Sequence, residues 1–159
     1  MLRYVFIASL LAFALSLAYA PGEAPAAGSS SSALKEDSNY KAGVRAVKAQ
    51  NWEEAIVFLT KVVAKDAKNA DAQNWLGFSY RKLGDYDQAF AYYKSALGVN
   101  PRHKGAHEYI GEAYLETDNM AKAEEHLATL DDICVFSCDE YQDLKKAIAE
   151  HKKVHNIGS

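Results

Sequence analysis

WLGFSYRKLGDYDQAFAYYKSALGVNP, running from Trp75 to Pro101, decides the fold. Trp75, Leu76, Tyr80 and Leu83 recur at the spacing that puts apolar side chains on one face of a helix. Gly84-Asp85 then interrupts the pattern with a turn signal. A second apolar series, Ala89, Tyr93 and Ala96, closes before Pro101, whose missing N–H ends a helix. The stretch reads as two helices joined by a tight turn.

The same chemistry recurs on both sides of it. Gly43, Gly77 and Gly111 are thirty-four residues apart. Ala55, Ala89 and Ala123 follow twelve residues after each glycine, and Leu59, Tyr93 and Leu127 four residues later. Val62, Ala96 and Leu130 come three after that, while Trp52, Tyr86 and Met120 stand nine past each glycine. A glycine and a small alanine suit the point where two helices of a unit cross closely, and the larger residues fill the space around that contact. Turns are predicted at Gln50-Asn51, Gly84-Asp85 and Thr117-Asp118-Asn119. Where the second unit ends on Pro101, the first carries Ala67 and the third Val135.

This pattern resembles the tetratricopeptide repeat, a thirty-four-residue helix–turn–helix unit. The resemblance covers residues 36 to 153 and is fullest in the second copy. It implies an all-α helical-repeat solenoid with units at about 36–69, 70–103 and 104–137. In a fourth register, Lys145 falls where another glycine would stand, while Tyr141, Leu144 and Ile148 keep the apolar positions of a first helix. Residues 139–153 are therefore expected as a capping helix with a polar outer face, followed by a tail, 154–159.

The N-terminal part is different in kind. Arg3 followed by an uncharged apolar run from Tyr4 to Leu17 reads as a signal peptide over residues 1–20, with cleavage after Ala18 or Ala20. An uncleaved anchor is the alternative, and it would be the only link to a membrane. Residues 21–35, with Pro21, Pro25 and the serines Ser29 to Ser32, are expected to form a flexible linker. The chain is thus expected to be exported, with the bacterial periplasm as its compartment. The net charge of −3 argues against nucleic acid as a partner, since phosphate binding needs clustered cations.

In tetratricopeptide-repeat proteins the first helices of successive units line a concave groove that holds a peptide or a helix of another protein. By resemblance, the groove residues here are Tyr40, Val44, Val47 and Lys48, then Asn74, Phe78, Arg81 and Lys82, then Glu108, Glu112, Leu115 and Glu116. The set departs from the family's carboxylate-gripping subclass, with Tyr40 and Val44 in the first unit and glutamates in the third. It predicts an apolar patch of Tyr40, Val44, Val47, Phe78 and Leu115. A basic zone (Lys48, Arg81, Lys82) and an acidic zone (Glu108, Glu112, Glu116) would flank it. Such a groove suits an apolar segment with oppositely charged flanks, aromatic anchors giving affinity and charges giving direction.

The two cysteines, Cys134 and Cys138, lie between the third unit and the cap. In an oxidising compartment they are most simply a disulfide fixing the angle of the cap. Reactive thiols and metal ligands are the alternatives, which would make the chain a thiol-redox or metal carrier. His103 with His107, and His151 with His155, have one-face helical spacing, but no carboxylate or cysteine is near in sequence to complete a metal set. No nucleophile–base arrangement, phosphate loop or catalytic carboxylate pair appears. The expectation is a non-enzymatic adaptor or scaffold, with no cofactor, metal or small-molecule substrate, capable of self-association through its repeat edges.

Overall fold

The computed structural model describes residues 37–156. The expected signal peptide and linker lie outside the described residues, as do the last three residues of the tail. Seven helices and no strands occur among the described residues: α1 (Ser38–Lys48), α2 (Trp52–Lys65), α3 (Ala70–Lys82), α4 (Tyr86–Val99), α5 (Lys104–Glu116), α6 (Met120–Ile133) and α7 (Asp139–Val154). This is the all-α repeat architecture that the sequence predicts. None of these helices is long and apolar enough to cross a membrane.

Local chemistry starts each repeat helix. The side chains of Asp37, Asn51, Asn69, Asp85 and Asn119 each accept a hydrogen bond from a backbone N–H of the first turn, satisfying donors that have no partner within the helix. His103 does the same for α5, its Nδ1 accepting from the Ala106 N–H at 3.1 Å. Its role is that of a helix cap, which leaves only Nε2, 3.0 Å from Asp71 Oδ1. The turns inside the three repeats each place one residue in the left-handed region: Gln50 at φ 58°, Gly84 at φ 80° and Asp118 at φ 57°. Only the second turn uses the residue that adopts this conformation without steric cost.

The helices form two layers. In the first, α1 touches α3, α3 touches α5 and α5 touches α7. In the second, α2, α4 and α6 pack on the first layer but do not touch one another. A layer in mutual contact backed by a layer that is not is the geometry of a curved stack, with the first layer inside the curve.

The repeat glycines sit where the layers meet. A Cβ on Gly43 would lie 2.6 Å from Leu59 Cγ, and one on Gly77 would lie 2.6 Å from ring carbons of Tyr93. Both follow the register of the repeat. The third does not: Gly111 receives Leu144 of α7, whose Cδ2 would be 2.6 Å away, and not Leu127. Leu127 is only half-buried at the edge of the same core cluster, while Leu144 is fully buried. The cap helix thus enters the core through Leu144. Its apolar stripe of Leu144 and Ile148 then covers α5 directly.

Candidate protein-binding site

The inner layer begins with an open cleft whose lining mixes apolar side chains with the cations Lys41, Arg45 and Lys48. Tyr40, Val44 and Lys48 of α1 face Trp75 of α3 around a space of about 630 Å³. Behind it an aromatic run crosses from one repeat to the next. Phe78 is 5.8 Å from Trp52, 5.7 Å from Trp75 and 4.8 Å from Tyr109, measured between ring centres. Trp52, Trp75, Phe78 and Tyr109 are all half-buried, so each keeps some surface for a partner. Trp75 and Tyr109 were not among the residues expected to line the groove. Their thirty-four-residue spacing marks them as equivalent positions, yet Trp75 reads in sequence as part of the scaffold motif.

One expected member of the apolar patch is corrected. Val47 is 6% exposed, belongs to the core with residues of α2 and α3, and offers the groove almost no surface. Leu115 is buried to the same degree but lines the cleft that runs along α3, α5 and α7.

The predicted separation of basic and acidic zones is also corrected. Arg81 is buried, and its guanidinium bridges two helices: one nitrogen lies 2.6 Å from Glu112 Oε2, the other 2.8 Å from Glu116 Oε1. It stands over the rings of Phe78 and Tyr109 at 5.3 and 5.9 Å. Arg81, Glu112 and Glu116 are therefore one internal ion cluster tying α3 to α5. Removing the cation would leave partly buried carboxylates unpaired, so the cluster is structural before it is anything else. Lys82 remains exposed, with Nζ 5.1 Å above the Phe78 ring. Lys48 is exposed at the end of α1.

Asn74 and Glu108 occupy equivalent positions on α3 and α5, and both are more than nine-tenths buried. Asn74 Oδ1 has no hydrogen-bond partner, and its Nδ2 lies against Gly105, one turn before Glu108 on α5. Burial pushes the Glu108 carboxyl up to about 8, with further contributions from Glu112 and from Asp143 and Glu140 of α7. Beyond it, a second cleft of about 300 Å³ runs between Lys82, Glu112, Glu116, Glu150 and His151. The inner layer thus changes from aromatic at α1–α3 to acidic at α5–α7.

The outer elements hold the remaining candidates. Cys134 and Cys138 stand side by side with Cα atoms 5.8 Å apart, and between them Val135 and Phe136 are each 87% exposed. His107 donates through Nε2 to the Pro101 carbonyl at 3.0 Å. Its Nδ1 shares a hydrogen bond of 2.9 Å with His126 Nδ1, linking α5 to α6. Burial, and then His107, lower the His126 pKa to about 4. At the end of α7, His151 and His155 stack, and Asp118 joins them from the turn of the third repeat, with one ligand atom from each within 4.8 Å of the others. That carboxylate is thirty-three residues upstream of His151 and could not be seen by spacing.

The model of the family described as anaphase-promoting complex, cyclosome, subunit 3, matches residues 48–130. The chain belongs to this family of tetratricopeptide-repeat sequences. An uncharacterized ycf37 protein of Guillardia theta is 30% identical over 91 residues, covering 54% of this chain and 51% of the relative. The chain therefore spans about half the length of that curated relative. Among solved structures, the Arabidopsis OM64 TPR domain matches with TM-score 0.61 at 18% identity, over 71% of this chain and 93% of that one. The Yersinia enterocolitica type III secretion chaperone SycD, in complex with a peptide of the translocator YopD, matches with TM-score 0.63 at 16% identity. That match covers 75% of this chain and 90% of SycD. These two likenesses show the tetratricopeptide-repeat fold over about three quarters of the chain.

Proposed function

We propose that this protein is a non-enzymatic adaptor whose inner helix layer holds a segment of another protein. The observation that carries the reading is the half-exposed aromatic run of Trp75, Phe78 and Tyr109 beside the open cleft at Tyr40 and Val44. Aromatic side chains that keep exposed faces in a concavity are the usual anchors of an interface. SycD, which shares the fold, is seen with a peptide of its translocator.

The adaptor works after export, in the bacterial periplasm, as part of a cell-envelope assembly. The apolar run after Arg3 and the Cys134–Cys138 pair support that compartment, since both suit an oxidising space beyond a membrane. The disulfide then holds the approach of α7 to α6.

A photo-crosslinking amino acid placed at Tyr40 in the native host tests the reading. One dominant protein should be captured and then lost when Phe78→Ala is added. Absence of specific capture from Tyr40 and from a second probe at Phe78 would remove the groove as a binding site. Arg81 is unsuited to this test, because its replacement disturbs the bridge to Glu112 and Glu116.

A further inference from the structure

Buried polar groups in folded proteins are almost always partnered, so the exceptions need a reason. Among the described residues, the side chain of Glu108 makes no hydrogen bond and no ion pair with another protein group, although it is only 8% exposed. Asn74, at 4%, has an amide oxygen with no partner. The two stand at the same repeat position on adjacent helices of the inner layer, thirty-four residues apart. Leaving a buried acceptor such as the Asn74 oxygen unsatisfied costs about 1–3 kcal/mol. An alanine or leucine at either place would serve a mere core better.

The surroundings say what would satisfy them. The charged groups facing Glu108 are Glu112 from its own helix, Glu140 and Asp143 from α7, and Arg81 from α3. Arg81 is already committed to Glu112 and Glu116. The remaining field is therefore negative, and the unused capacity of Glu108 and Asn74 includes oxygen acceptors. The aromatic run of Trp75, Phe78 and Tyr109 lies alongside.

We propose that Glu108 and Asn74 form a subsite for a cationic side chain, lysine or arginine, on a bound protein segment whose apolar residues sit on the aromatic run. The proposal rests on the groove reading above and specifies its partner. The segment is basic next to its anchors, not acidic. In the free protein, Glu108 is held largely protonated at neutral pH by its surroundings. An arriving ammonium or guanidinium stabilises the carboxylate, and the proton leaves to solvent. Binding is accordingly linked to proton release and strengthens as pH rises.

The test is selection of a random library of peptides about twelve residues long, displayed on phage, against the full chain at about pH 9. Recovered peptides should carry lysine or arginine close to aromatic or aliphatic residues. A synthetic peptide of the recovered consensus should bind at least ~tenfold more weakly to Glu108→Gln. With the native chain its affinity should fall by a similar factor between about pH 9 and pH 6. Calorimetry near pH 7 in two buffers of different ionisation enthalpy should show a proton released on binding to the native chain and none with Glu108→Gln. Glu108→Gln removes a buried acid and is expected to fold, which circular dichroism checks. Peptides recovered without a basic preference, or with one that Glu108→Gln retains, would overturn the subsite and leave the groove standing. Recovery of no peptide at all would overturn the groove reading, and this inference with it.

Discussion

The second and third repeats share their register and differ in what fills their glycine. Gly77 is covered by Tyr93 from the same repeat, whereas Gly111 is covered by Leu144 from the helix that follows the array. In the second repeat the contact is therefore internal, and the unit brings its own filling. In the third it is borrowed, and the unit depends on α7 for the contact that defines it. The capping helix is in this sense part of the third repeat's core, with its outer face the only part that caps.

The sharpest way to break the comparison is to truncate both leucines. Leu144→Ala should cost ~2–5 kcal/mol, as for a fully buried leucine leaving a cavity, and Leu127→Ala should cost less than half of that. Urea unfolding of the two variants measures this directly. Equal losses, or a larger one at Leu127, would restore the simple register. Next in size are the glycines themselves. Gly77→Ala should destabilise by ~1–3 kcal/mol, because a Cβ would meet the flat of a buried ring that has no room to move. Gly111→Ala should cost less, since the nearest atoms are the two methyl ends of Leu144, and alanine also favours the helix by ~1 kcal/mol.

These contacts mark where sequence reading succeeded and where it stopped. The helices, the turns and the glycine crossings were legible, because each depends on residues close in the chain and on a period repeated three times. The partner of Gly111 was not. Leu127 and Leu144 are both leucines in apolar series, and only the path of the chain through the Cys134–Cys138 turn decides between them. The site divides in the same way. Tyr40, Val44 and Phe78 could be placed on the inner layer by register. The pairing of Arg81 with Glu112 and Glu116 depends on how two repeats stack, and a residue-by-residue reading left these groups as separate zones. Asp118 beside His151 and His155 was hidden for the same reason.

Within the third repeat, the two sides of α5 also differ in how they answer pH. Glu108, on the inner side of α5, has its folded pKa raised from 4.5 to about 8. The folded state then holds the proton more tightly, so the contribution of Glu108 to stability is full below about pH 4.5 and is lost as pH rises toward 8. His126, packed on the other side of α5, has its pKa lowered from 6.5 to about 4. Here the unfolded chain takes up the proton first, so stability is lost as pH falls from about 6.5 to 4. Between about pH 4.5 and 6.5 the two oppose, and above 6.5 only Glu108 remains. The Tm should therefore fall by a few degrees from about pH 6.5 to 8 in the native chain and stay level in Glu108→Gln. His126→Phe should flatten the acid side alone. A native Tm that rises across the upper window would contradict the buried, unpartnered state of Glu108.

The smallest effect expected is at the turns. Gln50 adopts the left-handed conformation that Gly84 supplies in the second repeat. Gln50→Gly should raise stability by ~0.5–1 kcal/mol, because a non-glycine residue pays a steric cost there. Gly84→Gln should lose a similar amount, and thermal melts of the pair would place the first and second turns on one scale.

The seating of Leu144 against Gly111 has a bearing on how such an array can grow. Unit duplication lengthens a solenoid wherever each unit is self-filling, as the second repeat is. A copy of residues 70–103 inserted beside its parent would find its own tyrosine for its own glycine. A copy inserted between α6 and α7 would have to compete with Leu144 for Gly111 or leave the terminal helix without a seat. Lengthening such an array therefore costs less packing on the upstream side of the third unit than on the other.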